Sequence, residues 1–272
     1  MISKGEKIRA YVFVTAMLTL SMLPVLWMVL TSIKTPVQAF QIPPVWFFKP
    51  TAESYIEVFR KQNFWLYFTN SMVVTVVSTL ISMVVGTLAA YPLARYRMKG
   101  KRSISFFVFF ARMFPPVVLV LPFFIMFKRF NATDTIGSLI ISYTAFNLPF
   151  VIWMMWSFLE GLPSSLEEAA SIDGCSRFGA MMKVILPLTK PGLAVSAIFT
   201  AMNSWNEFII ALNITGAKAP TLPLMAASFV TQDAILWGPV TAAGTLIMLP
   251  LFVFTLMVQK HLVAGMTMGA VK

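Results

Sequence analysis

Six long apolar stretches, at residues 11–33, 64–93, 104–127, 136–159, 191–212 and 238–258, constrain this chain more than any other feature. Each reaches the roughly 20 residues that an α-helix needs to cross the hydrocarbon core of a bilayer. A segment inside lipid must satisfy its own backbone N–H and C=O groups, so runs this continuous are expected to be helical. Composition agrees: 58% of the 272 residues are hydrophobic and 11% are charged, where soluble domains carry about 25% charged residues. The expected fold is all-α, a single transmembrane domain over residues 1–272 with six transmembrane helices. The first stretch follows Lys4, Lys7 and Arg9, as a signal peptide would. It is longer than a signal core and no A-x-A site follows, so it is read as a retained helix.

Six spans put both termini on one side, and Lys and Arg decide which. Thirteen of the 21 basic residues lie in the N-terminus, the 94–103 and 160–190 loops and the C-terminus. Arg95, Arg97, Lys99, Lys101 and Arg102 share one short loop. The three opposite loops hold seven, and Arg112 lies within a span. Both termini are therefore expected in the cytoplasm. The net charge of +11 reads as cationic loops held against anionic membrane lipid. Nucleic acid is not expected, because residues 95–102 offer no aromatic platform beyond Tyr96. One Cys excludes a disulfide framework or a Cys-based zinc site, and one His leaves little room for metal or triad chemistry. No P-loop pattern is present, so no nucleotide, metal or other cofactor is expected on this chain.

Two connections are long. Residues 34–63 hold four prolines and the aromatics Trp46, Phe47 and Phe48, which fits an ordered cap on the outer surface. Residues 160–190, on the inner side, hold four of the ten acids. There Ser165 and Glu168 stand in capping-box spacing. Ala169 and Ala170 favour a helix without adding bulk, and Gly174 suits a left-handed stop. Residues 178–186 form a second short helix ended by Pro187. The expected unit is a helix–turn–helix too polar to span, whose small residues admit close approach by a partner.

This loop carries a resemblance. Glu168-Ala169-Ala170, then Asp173-Gly174, then Ile185-Leu186-Pro187 resemble the EAA signature of permease subunits of binding-protein-dependent ABC importers. The family pattern is E-A-A, three residues, G, nine residues, I-x-L-P. Val184 stands where the family prefers Ile, and Cys175 replaces the usual Ala. Trp205-Asn206-Glu207-Phe208 resembles the family's W-N-x-F, and Asn70-Ser71 opens the second span as in relatives. The C-terminus, Leu262-Val263-Ala264-Gly265 and Gly269-Ala270-Val271-Lys272, is similar to that of the maltose-type, carbohydrate-specific branch.

The resemblance implies a type I importer permease fold in the cytoplasmic (inner) membrane of a prokaryote. It implies a second homologous permease, two ATP-binding subunits that carry ATP and Mg, and an extracytoplasmic solute-binding protein. The 160–190 loop would be the coupling loop that docks on the ATPase, and Glu168, Ala169, Ala170, Asp173, Gly174, Ile185, Leu186 and Pro187 its coupling residues. The outer loop 213–237, with Gly216, Pro220 and Pro223, would touch the binding protein. The tail, residues 262–272, would reach between the ATPase subunits. The solute implied is a sugar or oligosaccharide, or alternatively another polyol or a phosphodiester.

Two polar stripes mark a candidate path. Ser196, Thr200, Asn203 and Glu207 fall on one face of the fifth span, and Ser71, Thr75, Ser78 and Ser82 on one face of the second. They either line a water-filled path, with Trp205 and Asn206 beside it, or pack helices together. Glu207 is the one acid and Arg112 the one base inside a span, and ionisable groups there signal function. At 1.5 Å per residue Arg112 sits about 12 Å and Glu207 about 24 Å above the inner ends of their spans, so they pair only if Pro115 and Pro116 bend the third span strongly. A stand-alone ion-coupled carrier would have to be built on Glu207, and no inverted repeat accompanies it.

Overall fold

The computed structural model describes residues 4–61 and 63–269, with side chains described at residues 4–60 and 63–256. In chain order the helices are α1 Lys4–Ser32, α2 Pro36–Phe40, α3 Glu53–Lys61, α4 Phe64–Arg95, α5 Lys101–Met113, α6 Pro116–Arg129 and α7 Ile136–Glu160. They continue with α8 Ser165–Ile172, α9 Arg177–Leu188, α10 Lys190–Trp205, α11 Ile209–Ile214, α12 Leu222–Ser228 and α13 Trp237–Gly269. Four of these (α1, α4, α7 and α13) are each long and apolar enough to cross a membrane, and two bent pairs raise the number to as many as six.

Proline chemistry divides the expected third span. Pro115 and Pro116 donate no backbone hydrogen bond, and a residue before proline is pushed out of the helical region. Phe114 is extended, with φ −68° and ψ 124°, and α5 and α6 meet at 95°. The fifth span is likewise not one helix: it stops at Trp205 and restarts at Ile209. The sixth runs on as helix through residues 262–269 of the expected tail, while residues 270–272 lie outside the described residues.

The chain groups into two compact units, one of residues up to Trp65 with Met225–Leu249, the other of Leu66–Leu224 with residues from Pro250 onward. In the first, the 34–63 connection is tied down by its own contacts. Thr51 N–H donates to the Ile33 carbonyl at 2.8 Å, and the Ser32 and Tyr55 hydroxyls are 2.9 Å apart. The Lys34 ammonium is buried over Trp27 at 4.5 Å and Phe48 at 5.2 Å from the ring centroids. Ring faces attract the cation there, a favourable contact in a desolvated place.

The second unit is layered. One apolar cluster joins Tyr91, Phe150, Met155, Leu159, Met181 and Ile185; another joins Val74, Phe127, Leu139, Tyr143, Ile210 and Ile214. Between them runs a buried polar seam. The Asn147 amide donates to Ser204 Oγ at 2.9 Å, Ser204 Oγ lies 3.2 Å from Ser78 Oγ, and Thr200 bonds back to the Ser196 carbonyl at 2.7 Å. Small residues and hydroxyls hold membrane helices together in this way.

Gly86 of α4 makes a close crossing with α7. A Cβ there would stand 2.6 Å from Val151 Cγ1 on α7. Gly86→Ala is expected to destabilise the protein by about 1–3 kcal/mol through overpacking. Val151→Ala in the same chain should recover part of it, because it removes the nearest clashing atom but not Val151 Cβ at 2.9 Å. Thermal unfolding of the purified variants checks both.

Candidate functional site

The break after Trp205 is built by three consecutive residues. Trp205 is 1% exposed and meets Phe68 edge-on at 6.1 Å, which fixes the end of α10 in the core. Asn206 then closes α10, its N–H bonding to the Met202 carbonyl at 3.1 Å. Glu207 turns its carboxylate onto the start of α11, accepting from Ile210 N–H at 2.7 Å and Ala211 N–H at 3.1 Å. These are amides that a helix start otherwise leaves unpaired, and the negative charge suits the positive end of the helix dipole. Tyr143 Oη donates to the Glu207 carbonyl at 3.5 Å.

Beside the break lies a cavity of about 780 Å³. Asn203 and Glu207 of the polar stripe line it together with Asn206, and with them stand Arg112, Asn147 and the rings of Phe146, Phe150, Phe199 and Phe208. The other expected path residues do not line it. Thr200 and Thr75 are buried between helices. Ser71 Oγ accepts from Leu222 N–H at 2.8 Å and so caps the start of α12. For these three the packing alternative of the stripe is the one observed. The reason is size: a short hydroxyl side chain finds a partner within its own crossing and leaves no room for a cavity. Arg112 arrives through the bend at Pro115. Its guanidinium lies 4.5 Å from the Phe150 centroid and 5.3 Å from that of Trp153. It shares the cavity wall with Glu207, and no ion pair joins the two. Asn147 was not predicted; one Asn in an otherwise apolar run was its only signal.

At the other end of this unit, the 160–190 loop folds as two helices around Gly174. The expected capping box is absent. Ser164, not Ser165, precedes the first turn, and its helical conformation aims the hydroxyl away from the free amides. The C-terminal stop is as expected. Gly174 has φ +80°, its N–H reaches the Ser171 carbonyl at 3.1 Å, and Cys175 N–H reaches the Ala170 carbonyl at 2.9 Å. This is the paired bond pattern of a Schellman turn. In α9, Pro187 has no N–H for the Lys183 carbonyl, and the turn widens so that Leu186 N–H bonds to Met181 O. Ala170 and Ile185 are buried and fasten the loop to the helices above. Glu168, Ala169, Asp173, Gly174 and Pro187 face outward, and Leu186 is half-buried. So do Ile172 and Phe178, 88% and 63% exposed, which sequence reading missed because exposure of an apolar side chain leaves no mark in a motif.

Glu167 lies about 100° around the helix from Glu168 and points inward. It accepts from Arg95 Nε at 3.0 Å, while Arg95 Nη1 donates to the Leu162 carbonyl at 2.9 Å. The end of α4 is thereby latched to α8. Removing one partner of a largely buried pair strands the other charge. Arg95→Leu and Glu167→Leu should each lower the melting temperature, and the double variant should lose less than their sum. A double-mutant cycle is expected to return a coupling of about 1 kcal/mol or more.

The loop after α11 hangs on Asp134. Its carboxylate accepts from the N–H groups of Gly216 at 2.7 Å, Lys218 at 3.1 Å and Ala219 at 3.0 Å. A Cβ on Gly216 would sit 3.0 Å from that carboxylate. Pro220 is buried, its carbonyl accepting from the Asn70 amide at 3.0 Å, and Pro223 lies in the first turn of α12. Burial alone would raise the Asp134 pKa, but the three backbone donors outweigh it and hold the carboxyl below its ordinary value. A lowered folded-state pKa means the stabilisation is present above the unfolded value, about 3.9. It is lost as pH falls through the folded value. Amide protection factors at Gly216, Lys218 and Ala219 should hold from neutral pH to about 4 and collapse below it. Asp134→Asn should show the low-pH protection at every pH.

Comparison with known proteins fits this geometry. The chain is 33% identical to the sulfoquinovosyl glycerol transport system permease protein of Agrobacterium fabrum, over 98% of this chain and 94% of that protein. It is 36% identical to the trehalose transport system permease protein of Mycobacterium tuberculosis, over 93% of each. Its fold matches a solved bacterial ABC transporter involved in import of the acidic polysaccharide alginate, with a TM-score of 0.75, 23% identity, and 96% and 98% of the two chains covered. Residues 82–268, which take in the latch, the Gly174 turn and the broken helix, match the family model described as binding-protein-dependent transport system inner membrane component, and the chain belongs to that family.

Proposed function

We propose that this chain is the membrane-spanning subunit of an ATP-driven importer for a sugar or oligosaccharide delivered by an extracytoplasmic solute-binding protein. The observation that carries the proposal is the α8–Gly174–α9 loop. It is a short rigid helix, latched at Arg95 and rooted by Ala170 and Ile185, that presents Glu168, Ala169, Ile172 and Phe178 outward. An outward face on a rooted helix suits a part that passes motion from a partner into the spans. Two ATP-binding subunits and a second homologous permease complete the assembly. ATP closes the ATPase pair, the loop moves, and the path changes from inward- to outward-facing. Hydrolysis takes place on the separate subunits, and this chain is the translocation subunit.

The cavity at the broken helix is the path for the solute. Asn147, Asn203 and Asn206 offer amides to hydroxyl groups, and the Phe rings offer faces to the apolar sides of sugar rings. Relatives named for sulfoquinovosyl glycerol and trehalose support a saccharide. The distribution of Lys and Arg supports both termini and the coupling loop on the cytoplasmic side. The Asp134-held loop at Gly216–Pro223 then faces outward, where the binding protein docks. An ion-coupled carrier would need a free acid on the path, and both carboxylate oxygens of Glu207 already hold amides.

Affinity isolation of the tagged chain from native membranes tests the reading. An ATP-binding subunit and a second permease should come with it. Isolation alone, with transport intact, would overturn it.

A further inference from the structure

We propose that the solute admitted to this cavity is a saccharide bearing an anionic group, such as a carboxylate or sulfonate, and that Arg112 is the residue that selects it. The proposal rests on the reading of the cavity as the solute path.

The charge on the wall is unbalanced. Arg112 and Glu207 are the ionisable side chains lining the cavity, one of each sign. Glu207 is already committed, with its two oxygens on the amides of Ile210 and Ala211. Its charge answers the dipole of α11 and does not reach Arg112 as an ion pair. Arg112 contacts the rings of Phe150 and Trp153 and, among the described residues, no acceptor and no carboxylate. Ring contact steadies a guanidinium while leaving its N–H donors available.

Arg112 lies within an apolar stretch. It stands eight residues beyond the inner end of that stretch at residue 104, about 12 Å along a helix at 1.5 Å per residue. That position is inside an apolar stretch long enough to cross a hydrocarbon core about 30 Å thick. A cation held there without a counter-ion is costly and marks a pathway. An anionic solute supplies the counter-ion while it is bound and removes it on release.

The remaining lining separates acidic from neutral saccharides. Hydroxyl groups are served by the three asparagines, and the Oδ1 of Asn147 is buried without a partner. A neutral sugar needs nothing more than these amides and the Phe faces. A planar guanidinium fork matches a carboxylate or sulfonate bidentately and matches no hydroxyl so well.

The test uses the complete importer in lipid nanodiscs, without binding protein, so that the cavity alone is read. The probes are methyl β-glucuronide and methyl β-glucoside, which differ by carboxylate against hydroxymethyl. Binding is followed by calorimetry, and labelling of Arg112 by phenylglyoxal is followed by mass spectrometry. The glucuronide should bind at least about tenfold more tightly than the glucoside, as expected for a charge-assisted bidentate pair, and should slow the labelling. Arg112→Gln should bring the two affinities together, and Arg112→Lys, which keeps the charge without the fork, should fall between. Equal binding of the two probes, or an Arg112→Gln importer that still prefers the glucuronide, overturns this proposal and leaves the saccharide path standing. Binding of neither probe overturns the path as well.

Discussion

Gly174→Asp is expected to strip the chain of its ATP-binding subunit and to lower solute uptake by about tenfold or more, which corresponds to about 1.4 kcal/mol of lost docking free energy. The residue occupies the left-handed region at φ +80° and closes the turn between α8 and α9. Among the described residues, nothing beyond its two chain neighbours lies within 4 Å of where its Cβ would be, so the substitution meets no internal clash and the protein should still reach the membrane. Asp also tolerates left-handed backbone better than most residues. The loss therefore belongs to the docking face, where bulk and negative charge are added. Gly174→Asn and Gly174→Val separate the two contributions. Asn keeps the backbone and adds bulk without charge, whereas Val strains the turn itself. Co-isolation of the ATP-binding subunit, measured beside uptake, reads each variant. A Gly174→Asp chain that retains its partner and full uptake would remove this turn from the coupling surface.

Glu207→Ala is expected to have the second large effect. It leaves the Ile210 and Ala211 amides without their acceptors at the one place where the fifth span is broken. An orphaned buried amide costs about 1–3 kcal/mol, so uptake should fall by about ten- to a hundredfold as α11 loses its fixed start. Glu207→Gln keeps a carbonyl acceptor and the length of the side chain, loses the charge at the helix start, and should be intermediate. The order Glu, Gln, Ala in both uptake and binding-protein-stimulated ATP hydrolysis is the expected signature. If both variants transport and hydrolyse normally, Glu207 is no brace for the path.

These two residues stood out in the sequence for different reasons. Glu207 stood out as an acid within an apolar span, a signal that names importance and not geometry. Its role as the cap of a helix restart depends on Trp205 being held against Phe68 and on the chain turning within three residues. Gly174 was legible in full, because a left-handed stop is a local demand that local sequence can state. Ser165 and Glu168 kept the spacing of a capping box without forming one, since Ser164 continues the helical backbone and carries the hydroxyl away. The polar stripes of the second and fifth spans show the same limit. Helical periodicity puts Ser71, Thr75 and Thr200 in line with their neighbours, and only the packing of the helices decides that Thr75 and Thr200 are buried and that Ser71 accepts from Leu222 N–H. The outward placement of Ile172 and Phe178 and the inward turn of Glu167 are likewise products of how α8 and α9 settle on the ends of the spans.

Apolar run length, the positions of proline and glycine, and the spacing from Glu168 to Pro187 determined by themselves that this chain is helical, membrane-spanning and built around a non-spanning loop. Those properties follow from interactions within a few residues along the chain or between the chain and its solvent. Tertiary structure alone decided which polar groups face open space. Arg112 reaches the cavity because two prolines leave backbone groups unpaired and bend the span by 95°, and Glu207 meets the amides of Ile210 and Ala211 because Trp205, packed on Phe68, ends one helix where the next begins. Competition among neighbours for a buried hydrogen bond is settled by distance in space, and sequence separation does not measure that distance.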